Sequence, residues 1–339
     1  MNLKEKDLKK IVKDSRVLFI TTKNIDYIRN VQEIKVLNKN AKSIDVIFSK
    51  KKNYISRVFD VWYKSKRTVI QKNDVVFIGF APQLIIPFIG YKFRDKPIII
   101  DFFISVYDTL VCDRKKFKNG GICSKICHYL DEITIKRANY VITDTKTHAE
   151  FFISEFHADS SIFETMYLEA DSSIYFPRPQ KKPNILKDKY VVLYFGSILP
   201  LQGVNVVLDT IRYLKDRKDI YFDIIGPISK EYNKPVCDNV KYTEWLSQEE
   251  LANHIANADI CLAGHFSFDI DKASRTIPGK AYIYEMMEKP MVLGNGIANH
   301  ELFKEDENHF FVELGDAKGL AKLLIEKSKD YFWYKNNSQ

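Results

Sequence analysis

Three strand-to-helix loops in the second half of the chain gather the residue types that hold an anion. FGSILPLQGVNVVLD (195–209) leaves an apolar strand and enters a helical segment, with Gly196 at the strand end and Gly203 at the helix start. Glycine there lets a ligand approach the backbone, and a helix N-terminus adds free N–H groups and a partial positive charge. DKASRTIPGKAYIYEMMEKP (271–290) sets Lys272, Arg275 and Lys280 ahead of or at the start of another helix, with Pro278 where a first-turn proline costs nothing. GNGIANHELF (294–303) follows a third strand and carries Asn299 and Glu301. Three cations and a helix dipole meeting at one strand end suit a diphosphate. Each loop alone reads as well as a solvated turn, and none has the fixed spacing of a dinucleotide or P-loop signature. Cys123, Cys127 and His128 lie close together without a second ligand pair, so the cysteines read as packing residues and no metal is expected.

Loops of this kind need a sheet to present them. In the first half the short apolar runs are 17–22, 44–49, 74–80, 97–103 and 140–145, separated by segments of helical period, with 161–170 as a last strand. In the second half they are 190–196, 221–226, 240–245, 259–264, 290–295 and 310–314. Runs buried on both faces and alternating with helices imply parallel sheets built from βαβ units. Between the halves, DSSIYFPRPQKKPNILKDK (171–189) holds three prolines, several lysines and no apolar period, and reads as a linker. The expected fold is α/β, with two doubly wound parallel-sheet domains. Ligands are expected beyond the carboxyl ends of the strands and in the cleft between the domains.

At 339 residues the chain exceeds what one core usually serves, and 45% hydrophobic residues exclude a disordered chain. The net charge of +8 fits an anionic ligand, a membrane surface or nucleic acid, and equally a lysine-rich composition with no such partner. No zinc spacing, RNP-type segment or basic recognition helix supports a nucleic-acid reader. Five cysteines without framework spacing point to a reducing compartment. The charged N-terminus lacks the apolar core of a signal peptide, and no run approaches the ~18 apolar residues of a spanning helix. A cytoplasmic protein is expected. KKKNYISRVFDVWYKSKRTVIQK (50–72) interleaves cations with Phe59, Trp62 and Tyr63. It reads either as an interfacial helix on anionic lipid or as a helix packing its apolar stripe on the sheet.

The segments FGSILPLQGV, DIIGPI, SQEELANHIANADICLA, IPGKAYIYEMMEKP and NHELF resemble, in order and spacing, the donor domain of GT-B glycosyltransferases of the retaining family 4 (group 1) class. The resemblance covers nearly all of 190–325. The first half resembles the acceptor domain of one branch through IIIDFFISVYDTLVCDR (98–114) and YVITDTKTHAEFF (140–152), and YLEADSSIYFPRP (167–179) looks like the crossing between the two. The resemblance implies a GT-B architecture facing a central cleft. Its parts are an acceptor domain over 1–175, a nucleotide-sugar donor domain over 176–325, and a C-terminal segment, 326–339, able to cross back to the first domain. It implies transfer of a sugar from a nucleotide-diphosphate sugar to a glycan or lipid-linked acceptor in surface polysaccharide synthesis, without a cofactor or metal. Location at the inner membrane face, through 50–72, goes with it, as does a partner glycosyltransferase or a homo-oligomer. Gly196, Ser197, Gln202, Gly203, Lys272, Arg275 and Lys280 would surround the diphosphate, joined in donor binding by Asn299 and Glu301. Asp101 and Asp108 stand where the family places a polar residue near the transferred sugar, which makes them the expected catalytic residues, Asp101 as a catalytic or sugar-orienting group. Asp101 reads equally as a turn cap.

This sequence departs from the family pattern at four places. Ser197 and Gln202 stand where the family has phosphate-binding Arg and Lys, with Arg275 and Lys280 as substitutes. Arg275 and Ile283 occupy the positions of the paired glutamates, the second of which holds the ribose. Glu285 lies two residues beyond Ile283, about 200° around a helix, and would serve only if the helix start shifted. The alternative implied by these departures is a degenerate GT-B protein acting as a non-catalytic partner of an active transferase.

Overall fold

The computed structural model describes residues 8–196, 199–229 and 232–337, and the chain divides into two compact units, Met1–Glu169 and Ala170–Gln339. In the first unit β1 (Arg16–Ile20), β2 (Ser43–Ile47), β3 (Val75–Ile78), β4 (Ile98–Asp101), β5 (Tyr140–Thr143) and β6 (Phe163–Thr165) form one parallel sheet of order β2-β1-β3-β4-β5-β6. Strands β3, β4 and β5 are buried at every position, as a sheet covered on both faces demands, while the edge strands β2 and β6 are largely open. The helices α1 (Leu8–Val12), α2 (Ile28–Asn40), α3 (Tyr54–Arg67), α4 (Ile86–Ile89), α5 (Ile122–Arg137) and α6 (Lys146–Glu155) make the crossovers and the covering layers.

The second unit repeats the plan. Strands β7 (Tyr190–Phe195), β8 (Ile220–Ile225), β9 (Val240–Thr243), β10 (Ile260–Gly264), β11 (Met291–Gly294) and β12 (His309–Val312) pair in the parallel order β12-β11-β10-β7-β8-β9. Helices α7 (Val204–Tyr213), α8 (Gln248–Asn257), α9 (Lys272–Arg275), α10 (Gly279–Met286) and α11 (Ala317–Asn337) complete it. All twelve expected strands are present within a few residues of their sequence-read bounds. Helix α8 starts where Ser247 and Glu250 cap each other reciprocally, a pattern visible in SQEE. One apolar cluster joins Val192, Phe222, Ile260, Val207, Ile211, Leu320 and Leu324, so the sheet core runs continuously into α7 and α11.

The segment 171–189 is not a loose tether. Arg178 forks onto Glu249 at 2.7 and 3.2 Å, and Lys182 pairs with Asp259, both within the second unit. The far end of α11 is held there as well: the Tyr331 ring lies 5.5 Å from that of Tyr190, and Lys335 donates to Asp188. No helix among the described residues is long and apolar enough to cross a membrane.

Candidate functional site

In the second sheet the strand order reverses between β7 and β10, so the loops that follow these strands leave in opposite directions and open a crevice at their carboxyl ends. The chain after β7 folds into one tight turn, Pro200–Gln202, and reaches α7 through Gly203 in the left-handed region at φ 62°. Phe266 and Ser267, after β10, donate their N–H groups to the carbonyls of Gln202 and Leu201. A side chain on Gly203 would stand 2.5 Å from the Ser267 nitrogen, so only glycine permits this seam between the two loops. No side chain caps α7; the Val206 N–H turns back to the Gly203 carbonyl at 2.9 Å, which leaves those of Val204 and Asn205 for another acceptor.

Lys280 enters this crevice from the first turn of α10. It is only 6% exposed, and its ammonium donates to Gln202 Oε1 at 3.1 Å while lying 3.9 Å from the centre of the Tyr194 ring. Tyr194 donates its hydroxyl to the same Gln202 oxygen at 2.9 Å. Gly264, the last residue of β10, lines the same spot: a Cβ on it would lie 3.7 Å from Lys280 Nζ. No carboxylate forms an ion pair with Lys280 among the described residues. An enclosed ammonium without a counter-ion is costly, and burial pushes the Lys280 pKa down to about 7. The ring face and the amide oxygen offset part of that cost. Gly196 completes the pocket at φ 147°, where a Cβ would meet Gln202 Oε1 at 2.9 Å and Lys280 Nζ at 3.4 Å. An anion arriving over Gly196 would find a buried cation and bare backbone.

The structure thus brings Gly196, Gln202, Gly203 and Lys280 together; Ser197 lies outside the described residues. Lys272 and Arg275 sit on α9, whose Ala273, with Ile270 just before the helix, packs against Leu199 and Leu201, so α9 rides on the β7 loop. Thr276 ties this helix down, donating to the Lys272 carbonyl at 2.9 Å while its own carbonyl lies 3.2 Å from His265 Nδ1. Lys272 is buried and Arg275 half-buried. Asn299 is fully buried in the turn Ile297–Glu301, its amide donating to the Gly294 carbonyl at 2.8 Å, so it locks the end of β11. Glu301 closes that turn, half-buried. Glu285 does not join the group. Helix α10 keeps its regular register, and the exposed Glu285 carboxylate pairs with His309 Nε2 at 2.8 Å.

In the first unit Asp101 is neither a turn cap nor a free carboxylate. It is fully buried at the end of β4, with both oxygens taken by the Arg29 fork at 3.0 and 2.9 Å. Glu33, one turn along α2, is buried beside it. Burial, and then the charge on Asp101, holds the Glu33 carboxyl well above the usual range. Asp101 serves as the nearer counter-ion of Arg29, with the Glu33 carboxyl 3.9 Å from Arg29 Nε beneath the strand ends. Asp108 is also fully buried, its N–H bonded to Ser105 Oγ at 2.8 Å and its carboxylate 3.7 Å from His148 Nε2. His148 in turn meets Asp144 at 2.7 Å. Above the Arg29 pair stand three half-buried rings, Tyr27, Phe80 and Phe103, with centroids 5.5 to 6.4 Å apart and the Lys23 ammonium over two of them. They rise from the loops after β1, β3 and β4, where the first sheet also reverses its strand order.

Sequence reasoning missed Tyr194, Arg29, Glu33, His148 and the three-ring platform. Tyr194 lies inside an apolar strand run, and Arg29 and Glu33 look like the wet face of an amphipathic helix. Their partners are remote in sequence, and only an unusual i, i+4 basic–acidic pair beside a strand end hinted at Arg29 and Glu33.

Residues 189–330 match the family described as glycosyl transferases group 1. A Klebsiella pneumoniae protein, described as an uncharacterized 41.2 kDa protein in the cps region, is 20% identical over 297 residues, 85% of this chain and 78% of that protein. HepE of Anabaena in complex with UDP superposes with a TM-score of 0.63 at 13% identity, covering 93% of this chain and 90% of its own. Sucrose-phosphate synthase of Thermosynechococcus elongatus gives 0.66 at 11% identity, covering 94% and 90%. The fold is that of the GT-B glycosyltransferases.

Proposed function

We propose, from the match of residues 189–330 to the group 1 glycosyl transferases, that this chain moves a hexose from a nucleotide-diphosphate sugar to a glycan or lipid-linked acceptor. The observation that carries the reading is Lys280, a buried cation without a carboxylate at the reversal point of the second sheet. A diphosphate over Gly196 would give that ammonium its missing counter-ion. As the glycosidic bond breaks, charge builds on the leaving diphosphate, and Lys280, the α7 N-terminus and the nearby Lys272 and Arg275 stabilise it. This chemistry asks for cations more than for a strong base, and with Asp101 spent on Arg29 it fits transfer with retention and needs no metal. UDP is the first donor nucleotide to test, because HepE is described in complex with UDP and with UDP-glucose. The relative from a cps region favours a surface polysaccharide as the product.

The acceptor half of the reading rests on the first unit. The Tyr27, Phe80 and Phe103 rings suit the apolar face of a sugar. On α3, Ile55, Phe59 and Tyr63 are 67%, 57% and 54% exposed among lysines, which suits docking on an anionic membrane. Retention on anionic vesicles that weakens with salt tests the docking; no retention rejects it. Calorimetric titration with UDP, GDP and their sugars tests the whole reading, and absence of binding by all of them sinks it. A second reading, a non-catalytic partner of an active transferase, draws on Ile283 and on the engagement of Glu285 with His309, which leave the ribose without a carboxylate from α10. Nucleotide binding without sugar transfer to any acceptor would select it.

A further inference from the structure

The first unit holds a second cation with no counter-ion. Arg57, on α3, is 7% exposed. Its Nε donates to the Lys51 carbonyl at 3.1 Å and its Nη2 to the Lys52 carbonyl at 3.3 Å, and the guanidinium lies 5.9 Å from the centre of the Tyr54 ring. No carboxylate forms an ion pair with it among the described residues. These contacts engage Nε and Nη2. Arg57 lines a cavity of about 330 Å³ that also takes in Asn24, Asp26, Lys50, Lys51 and Lys52. Four cations against one carboxylate leave the lining strongly positive. A neighbouring depression shares Lys50 and Lys51 with this cavity and adds Asp60 and Lys64, which pair at 2.8 Å, so the added residues bring no net charge and the excess of cations stays with Arg57 and the three lysines.

Holding a guanidinium out of water beside three lysines is unfavourable unless an anion joins them. The cavity opens at the carboxyl ends of β1 and β2, where open parallel sheets take ligands, and the Arg57 guanidinium keeps Nη1, which makes no hydrogen bond among the described residues, for a phosphate oxygen. We propose that this cavity binds a phosphate group, and that the acceptor of the reaction is phosphorylated. Naming the ligand as the acceptor rests on the transferase reading; binding of phosphate at Arg57 does not. The phosphate is carried either by a soluble acceptor or by a lipid headgroup, and both present the same chemistry to the fork.

The test is a phosphorus NMR titration of the full chain with inorganic phosphate, run on wild type, Arg57→Gln, Lys51→Ser/Lys52→Ser and Lys280→Ala. Arg57→Gln and the double lysine variant should each weaken binding about tenfold or more, as expected for a lost charge-assisted contact, while Lys280→Ala leaves this event in place. Arg57→Lys should recover part of the affinity, which separates charge from fold. Should Arg57→Gln fail to fold by circular dichroism, the exposed lysine pair carries the same expectation. Phosphate affinity indifferent to both Arg57→Gln and the lysine pair overturns the proposal. Sedimentation with phosphatidylglycerol vesicles then names the source. Retention lost in Arg57→Gln assigns a lipid headgroup, and phosphate binding without retention assigns a soluble phosphorylated acceptor. UDP affinity of the same variants reads the donor site separately, so either conclusion can fall alone.

Discussion

The Lys280 ammonium lies 3.1 Å from the side-chain oxygen of Gln202, where the group 1 pattern carries a second lysine. Two lysines at that separation would repel, so the glutamine and the buried Lys280 form one arrangement. The pair also sets a proton balance. With its pKa pushed down to about 7 from 10.5, Lys280 binds fewer protons in the folded than in the unfolded chain across that interval. Stability should therefore rise as pH climbs from about 7 to 10, and the burial cost is fully felt below 7. A bound diphosphate restores the charge. At pH 8, UDP binding should draw in close to one proton, and at pH 6 almost none, as read by calorimetry in buffers of different ionisation enthalpy. Equal uptake at both values would remove Lys280 from the site.

Replacing the ammonium by a chain of similar volume separates binding from folding. Lys280→Met should stabilise the ligand-free protein at pH 6 by about 1–3 kcal/mol, because it removes an unpaired buried charge. The same variant should weaken UDP by about 1.5–3 kcal/mol, the range of a charge-assisted bond. Chemical denaturation and calorimetry on one preparation give both numbers. A variant that binds UDP as tightly as wild type contradicts the site.

The Asp101 and Glu33 carboxyls, though neighbours, should respond in opposite ways. Asp101→Ala strands a buried guanidinium and should cost about 3–5 kcal/mol. Glu33→Gln should cost under about 1 kcal/mol near pH 5, since the raised pKa favours the uncharged acid and the amide is uncharged and of the same shape. Because the folded pKa of Glu33 is raised, the wild type loses stability as pH rises through and beyond the ordinary carboxyl range, and the glutamine variant is spared that loss. Urea denaturation at pH 5 and pH 8 checks both. A large loss for Glu33→Gln at both values would mean that Glu33 is ionised.

The twelve strands were legible because buried parallel strands are written as short β-branched runs with turns between them, and IIID or VVLYF admits little else. The anion pocket was half legible. Glycines and cations marked the loops after β7 and β10, but nothing local says that Lys280 is enclosed or that Tyr194 lies beneath it. Those facts depend on strands that meet only in the sheet. The surroundings of Asp101 were hidden for the same reason: its partner Arg29 is 72 residues away, and a carboxylate at a strand end looks alike in sequence whether it faces a substrate or a guanidinium. The position of Glu285 was readable in advance, since helical rotation alone turns it from the place that Ile283 occupies.

Glu285 provides the sharpest check on that rotation. If it belongs to the His309 pair and not to the nucleotide, Glu285→Ala should leave UDP affinity within about twofold of wild type, the scatter of an uninvolved site. Its effect should appear instead in stability, and only in acid. Burial lowers the His309 pKa, but Glu285 and Asp306 outweigh it and leave the pKa raised. The bonus is therefore full below the unfolded pKa of 6.5 and fades as pH rises through the folded value. Glu285→Ala should cost about 0.5–1 kcal/mol at pH 5.5, a partly exposed pair being worth little more, and almost nothing at pH 8.5. A fall in UDP affinity of tenfold or more would return Glu285 to the donor site and require α10 to begin in a different register when nucleotide is bound.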